Sequence, residues 1–231
     1  MAQKTNPNAL RLGSTQVWET TIQNYGKKSS IYSFSLIKHF LANKLAFFHF
    51  QPVKKDMILS KRFTIHHKWI GLNLKCSDKR SQLSKEFEKS LSLIYSKKVK
   101  IKNFHMIKTY VTAEFLTSYV EYLFTKNFSL KKISLNVFIF LKTCLNMEKI
   151  IYSNNTILIL NLIGFKIKIS GRFDNSRNQM AKSYEQSFGS LSLVRLENYV
   201  EFYNKSIFTK LGVCGFQVWL FYKITYSDGD Q

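Results

Sequence analysis

Hydrophobic and polar positions alternate in blocks along the chain, and the spacing in each block predicts an element. Apolar residues recur every three or four positions over residues 31–48 and 81–95, which predicts two helices. Every second residue is apolar within 57–76 and 98–102, which predicts strands. Gly71 stands where the alternation changes phase, so the 57–76 block is one bulged strand or two short strands. The apolar side of the first helix consists of Leu36, Phe40, Leu41 and Phe48.

Helical spacing returns after residue 108, and it predicts two further helices. The apolar side of the first consists of Val111, Phe115, Tyr119, Tyr122 and Leu123. The second follows Ser129, a residue type favoured at helix N-caps. Its apolar side consists of Leu130, Ile133, Val137, Leu141 and Cys144. We place a domain boundary between residues 107 and 108, where the pattern restarts.

The remainder of the chain is predicted to form mainly strands. Residues 164–170 and 213–224 alternate strongly and residues 191–203 more weakly, whereas the polar, basic segment 172–188 is predicted to be a loop. The fold class is therefore α+β, with the second domain built from two helices packed on a mainly antiparallel sheet. The predicted organisation is a basic N-terminal arm over residues 1–30, a small domain over 31–107 and this larger domain over 108–231.

The charge of the chain indicates which class of molecule it binds. Among 231 residues, Lys and Arg number 35 and Asp and Glu number 14, so the net charge is +21. The basic residues extend from Lys4 to Lys223, which favours a folded body that contacts a polyanion. Nucleic acid is the first candidate, and an anionic membrane surface is the second. The longest apolar stretch, 31–50, is interrupted by charged residues, so no membrane insertion is expected.

Catalytic and metal-binding patterns are sparse in this sequence. The five histidines lack metal-ligand spacing, and the three cysteines form no CxxC pair, so we expect no metal and no cofactor. The sequence contains no Walker loop and no dinucleotide fingerprint. The alternative class is an organellar nucleic-acid enzyme, an intron maturase or a homing endonuclease. Such an enzyme needs paired acidic residues at metal-binding helix ends, and the sequence has no LAGLIDADG-like helix.

Basic residues cluster in three places that suit phosphate. Lys131 and Lys132 fall in the first turn of a predicted helix, where free amide groups also favour anions. A row of lysines on the strand at 98–102 could follow a nucleic-acid backbone, although a solvated polar strand face explains it equally well. The third cluster forms one basic surface from Lys166, Lys168, Arg172, Arg177 and Lys182.

Three stretches resemble the universal small-subunit ribosomal protein three family, and they follow one another in the family's order. Residues 1–13, MAQKTNPNALRLG, resemble its N-terminal signature. Residues 167–172, IKISGR, resemble its strand ending in Ser-Gly-Arg. Residues 212–220, GVCGFQVWL, resemble its closing strand, and Gly189, Leu193 and Thr209 also fit the pattern.

The resemblance implies a KH-like N-terminal domain, a second α/β domain, and a place in the head of the small ribosomal subunit. It implies rRNA contacts, including Lys4, Asn6 and Arg11 of an arm that orders only in the assembled particle. It also places Lys131 and Lys132 beside the channel through which mRNA enters, whereas a third basic position of the family is Leu135 here. The KH domain is degenerate, because residues 72–163 contain no glycine and the expected GxxG loop is missing.

The resemblance further implies that the chain is a structural ribosomal protein with no enzymatic activity. Its partners are then small-subunit rRNA, mRNA and neighbouring proteins of the subunit head. The family signature starts at Met1, which leaves no room for a cleavable presequence. Together with the abundance of Lys, Asn, Ile and Phe, whose codons are rich in A and T, this predicts a mitochondrial protein made inside the organelle.

Overall fold

The chain forms two compact units, and the larger one combines residues from both ends of the sequence. The computed structural model describes residues 5–17, 29–49, 58–65, 68–76, 85–105, 111–153, 156–172 and 180–226. The smaller unit is Glu19–Thr109, and the larger unit combines Met1–Trp18 with Tyr110–Gln231. The start of the chain therefore belongs with the C-terminal region. The smaller unit is an insertion between two parts of the larger one.

The smaller unit has the element order α-β-β-α-β. The 57–76 block forms two strands that pair antiparallel, and the second of them pairs in parallel with the third strand, so the sheet order is β1-β2-β3. The helix between these parallel strands supplies the crossover that such a pair requires. The elements are α1 (Ser29–His49), β1 (Ile58–Ile65), β2 (Trp69–Cys76), α2 (Lys85–Tyr95) and β3 (Lys98–His105).

The core of the smaller unit corrects the predicted face of α1. Leu36, Phe40 and Leu41 are exposed, and α1 instead buries Ala42 and Ala46. Small side chains let a helix backbone approach its neighbours closely. This explains why α1 packs its alanine side, and not its bulkier side, against the rest of the unit. The buried residues of this unit are Ala42, Ala46, Ile70, Leu72, Leu74, Phe87, Leu91 and Tyr95.

The larger unit is two helices on an antiparallel five-stranded sheet, which confirms the predicted architecture. The central order is β4-β5-β8-β7, and β6 pairs with the second half of the long strand β5. The predicted loop at 172–188 is wrong in part, because β6 lies within it. The elements are α3 (Ala113–Thr125), α4 (Leu130–Thr143), β4 (Glu148–Ser153), β5 (Thr156–Gly171), β6 (Lys182–Gly189), β7 (Tyr199–Thr209) and β8 (Gly212–Tyr226).

One core joins the helices to one face of this sheet. On α4 the predicted residues Ile133, Val137, Leu141 and Cys144 are buried. On α3 the predicted face is right in part: Val111, just before the helix, and Leu123 are buried as predicted, and they are joined by Ala113, Leu116, Thr117 and Val120. The aromatic residues predicted for that face, Phe115, Tyr119 and Tyr122, are only half-buried. The rings of Phe115 and Tyr119 stack on each other with centroids 6.3 Å apart.

Candidate nucleic-acid interface

Arg11 is an internal anchor and does not face solvent. Its side chain is fully buried, with Nη1 donating to the Pro7 carbonyl at 3.0 Å. Nε donates to the Asn198 carbonyl at 2.8 Å, and Nη2 donates to the carbonyls of Leu193 and Arg195 at 2.9 and 2.8 Å. A guanidinium committed to four carbonyls is not presented to phosphate, so the expectation that Arg11 binds rRNA is corrected.

The rest of the N-terminal segment, residues 5–17, lies along the edge strand β7. The Asn8 carboxamide pairs with the main chain of Phe202: Nδ2 donates to its carbonyl at 3.0 Å and Oδ1 accepts from its amide at 3.1 Å. Gln16 Nε2 donates to the Val200 carbonyl at 2.6 Å. These side chains satisfy edge groups that a further strand would otherwise pair. The structure therefore places residues 5–17 against strand β7 of the larger unit, and ordering of the arm in the assembled particle stays a prediction.

Two other N-terminal residues were predicted to contact rRNA. Asn6 is exposed, and its Oδ1 accepts from the Asn8 amide at 3.0 Å, which fixes the turn around Pro7. Lys4 lies outside the described residues. The turn residues at Asn6 and Pro7 were visible in the sequence, but nothing local indicated which distant strand they would meet.

Lys166 and Lys168 lie on the sheet face that points away from the helices. The alternate residues of β5, including Phe165 and Ile167, are buried in the core, so the two lysines project to the other side. Both pair with Glu185 of β6: Lys166 Nζ is 3.0 Å from Oε2 and Lys168 Nζ is 2.6 Å from Oε1. Hydrogen bonds from Lys168 and Lys166 lower the pKa of Glu185 to about 2. The predicted basic surface thus contains a carboxylate that sequence reasoning missed.

The remaining members of this basic surface lie near the end of β5. Lys182 is exposed at the start of β6, and it lies opposite Gly171 of β5 in the antiparallel strand pair. Arg172 directly follows β5 and is half-buried. Arg177 lies outside the described residues. The structure therefore brings Lys182 and Arg172 to the same end of one strand pair.

Lys131 and Lys132 occupy the second and third positions of α4. The Lys132 side chain is exposed, and Leu135, one turn further on, is 51% exposed. Ser129 is the N-cap residue, but its side chain forms no capping hydrogen bond. Amide groups in the first turn of a helix lack intrahelical acceptors, so this end of α4 suits an anion.

Two other lysines form ion pairs inside the larger unit. Lys149 of β4 is hydrogen-bonded to Glu201 of β7, and the second carboxylate oxygen of Glu201 accepts from the Ala113 amide at the start of α3 at 3.3 Å. Lys205 Nζ lies 2.7 Å from an oxygen of Glu121 on the same helix. Both ion pairs tie α3 to the sheet, and they are largely shielded from solvent. Each of these pairs is neutral as a whole, so the net charge of +21 is carried by the other residues of the chain.

The described residues contain no grouping suited to metal or redox chemistry. No three His, Cys, Asp or Glu side chains among them come together as metal ligands. Cys144 and Cys214 are buried free thiols, and burial raises the pKa of Cys144. None of the helices in the part of the chain that the structure describes is long and apolar enough to cross a membrane.

Comparison with known proteins extends over nearly the whole chain. The small ribosomal subunit protein uS3m of Chondrus crispus is 38% identical over 228 residues, which cover 96% of this chain and 94% of the relative. The small ribosomal subunit protein uS3c of Euglena longa is 28% identical over 232 residues, which cover 95% and 99%. No protein-family model matches the chain.

Both alignments cover at least 95% of the chain, so each extends over most of both units. Neither relative is a maturase or an endonuclease, so the alternative of a nucleic-acid enzyme falls. The identity to a mitochondrial relative also agrees with the predicted compartment. The chain therefore belongs to the uS3 family of small-subunit ribosomal proteins and is a structural, non-enzymatic constituent of the mitochondrial small ribosomal subunit.

Proposed function

We propose that the chain binds rRNA in the head of the small subunit and lines the channel through which mRNA enters. The observation that carries the proposal is the charge: +21 overall, with Glu121 and Glu201 already committed to internal ion pairs. A compact protein with this excess is stabilised by a polyanion that neutralises it. Counterion release from phosphates supplies most of such binding energy.

The proposed rRNA ligands are the basic and polar residues outside the core. Arg11 is left out, because its guanidinium is buried. The side chains of Lys166 and Lys168 are partly exposed beside Glu185, so a phosphate can approach them. Neighbouring proteins of the head are the second class of partner. The proposed rRNA-contacting residues are Lys4, Asn6, Lys166, Lys168, Arg172, Arg177 and Lys182.

The smaller unit is proposed to be a degenerate KH-like domain. Its β-β-α-β order, with a parallel β2–β3 pair behind α2, supports this comparison. The unit has glycines only at positions 26 and 71, so it has no GxxG loop with which to clamp a nucleotide backbone. We infer that this unit contributes folded bulk and exposed lysines, such as Lys100 and Lys102, rather than a nucleotide pocket.

The proposed contact with mRNA is the first turn of α4. Replacing Lys131 and Lys132 with glutamate is expected to reduce initiation on messages with a structured leader several-fold and to leave subunit assembly nearly unchanged. Two carboxylates at a helix N-terminus do not destabilise the helix, because they match its dipole. The measurement is reconstituted initiation on structured and unstructured messages, with the amount of assembled small subunit determined in parallel.

The matched control replaces Lys210 with glutamate, because Lys210 is exposed in the turn between β7 and β8 of the same unit. This control changes the total charge in the same direction at another place. Parallel loss of assembled subunits and of translation on both messages in the α4 variant contradicts a role in the channel.

A further inference from the structure

Three rows of side chains cross the face of the sheet in the larger unit that points away from α3 and α4. The strand register aligns residues of β7, β8, β5 and β6 directly opposite one another. The first row is Phe202, Trp219, Lys166 and Ser187. The second is Asn204, Gln217, Lys168 and Glu185. The third is Ser206, Gly215, Ser170 and Ser183.

This face is directed away from the helices, because the residues between the rows are the core residues that α3 and α4 cover. Phe216, Val218 and Leu220 alternate along β8 with the row residues and are fully buried. At one end of the same face Val200 and Phe221 are also buried, near the N-terminal segment that bonds the Val200 carbonyl. The open part of the face therefore begins at the Phe202–Trp219 row.

The first row is a ready stacking surface. The rings of Phe202 and Trp219 lie 5.1 Å apart between centroids with planes inclined by 35°. Lys166 Nζ lies 5.6 Å from the Trp219 ring centroid. Phe202 and Trp219 are both half-buried residues, so neither is fully covered by the described part of the chain. Aromatic side chains of this kind stack on unpaired bases.

The second row offers hydrogen-bonding groups beside the aromatic pair. Asn204 is exposed and Gln217 is half-buried, and neither amide forms a side-chain hydrogen bond with another described residue. An amide can donate and accept at once, which suits the edge of a base. Lys168 follows in the same row. The third row has only hydroxyls and a glycine, so it forms a shallow strip beside them.

We propose that this face binds an unpaired segment of RNA. One base stacks on the Phe202–Trp219 pair, an amide of Gln217 or Asn204 bonds a base edge, and Lys168 contacts the adjoining phosphate. The site is separate from the first turn of α4. The inference deepens the proposed rRNA function and rests on it, and it names single-stranded RNA as the ligand class.

The composition of the rows favours RNA over a protein partner. Lysine, glutamate and serine are depleted from the centres of protein interfaces, yet they are seven of the twelve residues in these rows. Aromatic rings interleaved with lysines and amides are typical of single-strand binding surfaces. A duplex cannot use the first row, because its bases are already stacked on one another.

Glu185 limits how much of this binding is electrostatic. It offsets one of the two lysine charges on the face, so stacking rather than charge should dominate affinity. Replacing Glu185 with glutamine releases both ammonium groups from the carboxylate. We expect tighter binding and a salt dependence steeper by about 0.7 in the log–log slope, equal to one more phosphate contact with a single strand.

The experiment uses the full chain with Trp18 and Trp69 replaced by phenylalanine, so that Trp219 is the remaining tryptophan. The probes are a ten-nucleotide single-stranded RNA of adenines and uridines and an RNA duplex with the same number of phosphates. We expect the single strand to quench Trp219 fluorescence and the duplex to bind with little quenching. Phe202→Leu should weaken single-strand binding about tenfold, as for one lost base stack.

The matched control is Phe208→Leu, because Phe208 lies on the same strand and side but is 81% exposed and outside the rows. Equal affinities of the Phe202 and Phe208 variants, or binding without quenching, overturn this inference and leave the rRNA function standing. Failure of the chain to bind either RNA overturns both. Loss of assembly in Phe202→Leu with unchanged RNA affinity assigns the face to a neighbouring protein and also overturns it.

Discussion

Replacing Arg11 with methionine is expected to lower the free energy of unfolding of the larger unit by several kcal/mol, because each buried acceptor left without a donor costs about 1–3 kcal/mol. Methionine fills much of the space of the arginine stem, so the loss comes from the four carbonyls left without their donor. Lysine cannot rescue the site, because one ammonium cannot reach acceptors spread around a planar guanidinium. Denaturant unfolding followed by Trp219 fluorescence, in the background without Trp18 and Trp69, measures the effect.

Lys210→Met is the control for Arg11→Met. It removes one positive charge from an exposed turn of the same unit and should change stability by no more than about 0.5 kcal/mol. If Arg11→Met unfolds like this control but binds rRNA less tightly, Arg11 is a phosphate ligand and the buried anchor is wrong. The predicted pattern is the reverse, with reduced RNA binding only where the unit has unfolded.

Gly189→Ala is the second change with a large expected effect. Gly189 has φ +79°, and an added Cβ would lie 2.2 Å from the Ile163 carbonyl oxygen and 2.9 Å from Gly164 Cα. The substitution therefore combines an unfavourable backbone conformation with a backbone clash, and we expect a loss of about 3–5 kcal/mol. Thermal and denaturant unfolding of the full chain measure it.

Gly212→Ala separates the two causes in Gly189→Ala. Gly212 also has a positive φ, +126°, but a Cβ there meets no atom within 4 Å. It should therefore cost only the conformational part, about 1–2 kcal/mol. Equal destabilisation by the two alanines would show that the close β5–β6 approach at Gly164 and Gly189 is not what requires glycine.

The elements that sequence predicted best are those with one buried face and a clear period. Strands β5 and β8 alternate because α3 and α4 cover one side only, and α4 shows its buried side at helical spacing. Strand β6 was missed because seven of its eight residues are exposed, so it has no alternation to detect. It is held by pairing with β5 and by the contacts of Glu185 with two lysines, which leave no local signal.

The buried side of α1 was predicted wrongly and that of α3 only in part, and in both helices the aromatic residues were placed too deep. Hydrophobicity counts favour Phe and Tyr, whereas the residues that are buried are Ala42 and Ala46 in α1 and mainly Leu116, Thr117 and Val120 in α3. The size of the gap between two elements is a tertiary property. A single sequence therefore shows that a helix is amphipathic more reliably than it shows which residues lie deepest.

The sequence also predicted some residues of the candidate site and not others. Net charge and the end motifs were sufficient to predict the family, and Lys132, Lys166 and Lys168 are partly or fully exposed as a binding role requires. Arg11 could not be placed, because its acceptors lie more than 180 residues away except for Pro7. The row of Phe202 and Trp219 was equally hidden, since only the strand register sets them side by side.

Sedimentation of a mitochondrial extract through a sucrose gradient, with and without ribonuclease, tests the central claim most directly. The account predicts that the chain migrates with small ribosomal subunits in untreated extract and moves to lighter fractions after digestion, because its cationic surface is held by rRNA. A chain that migrates apart from small subunits in untreated extract would contradict a place in the ribosome. If the chain still sediments at its original position after complete digestion of rRNA, RNA is not the partner that holds it there.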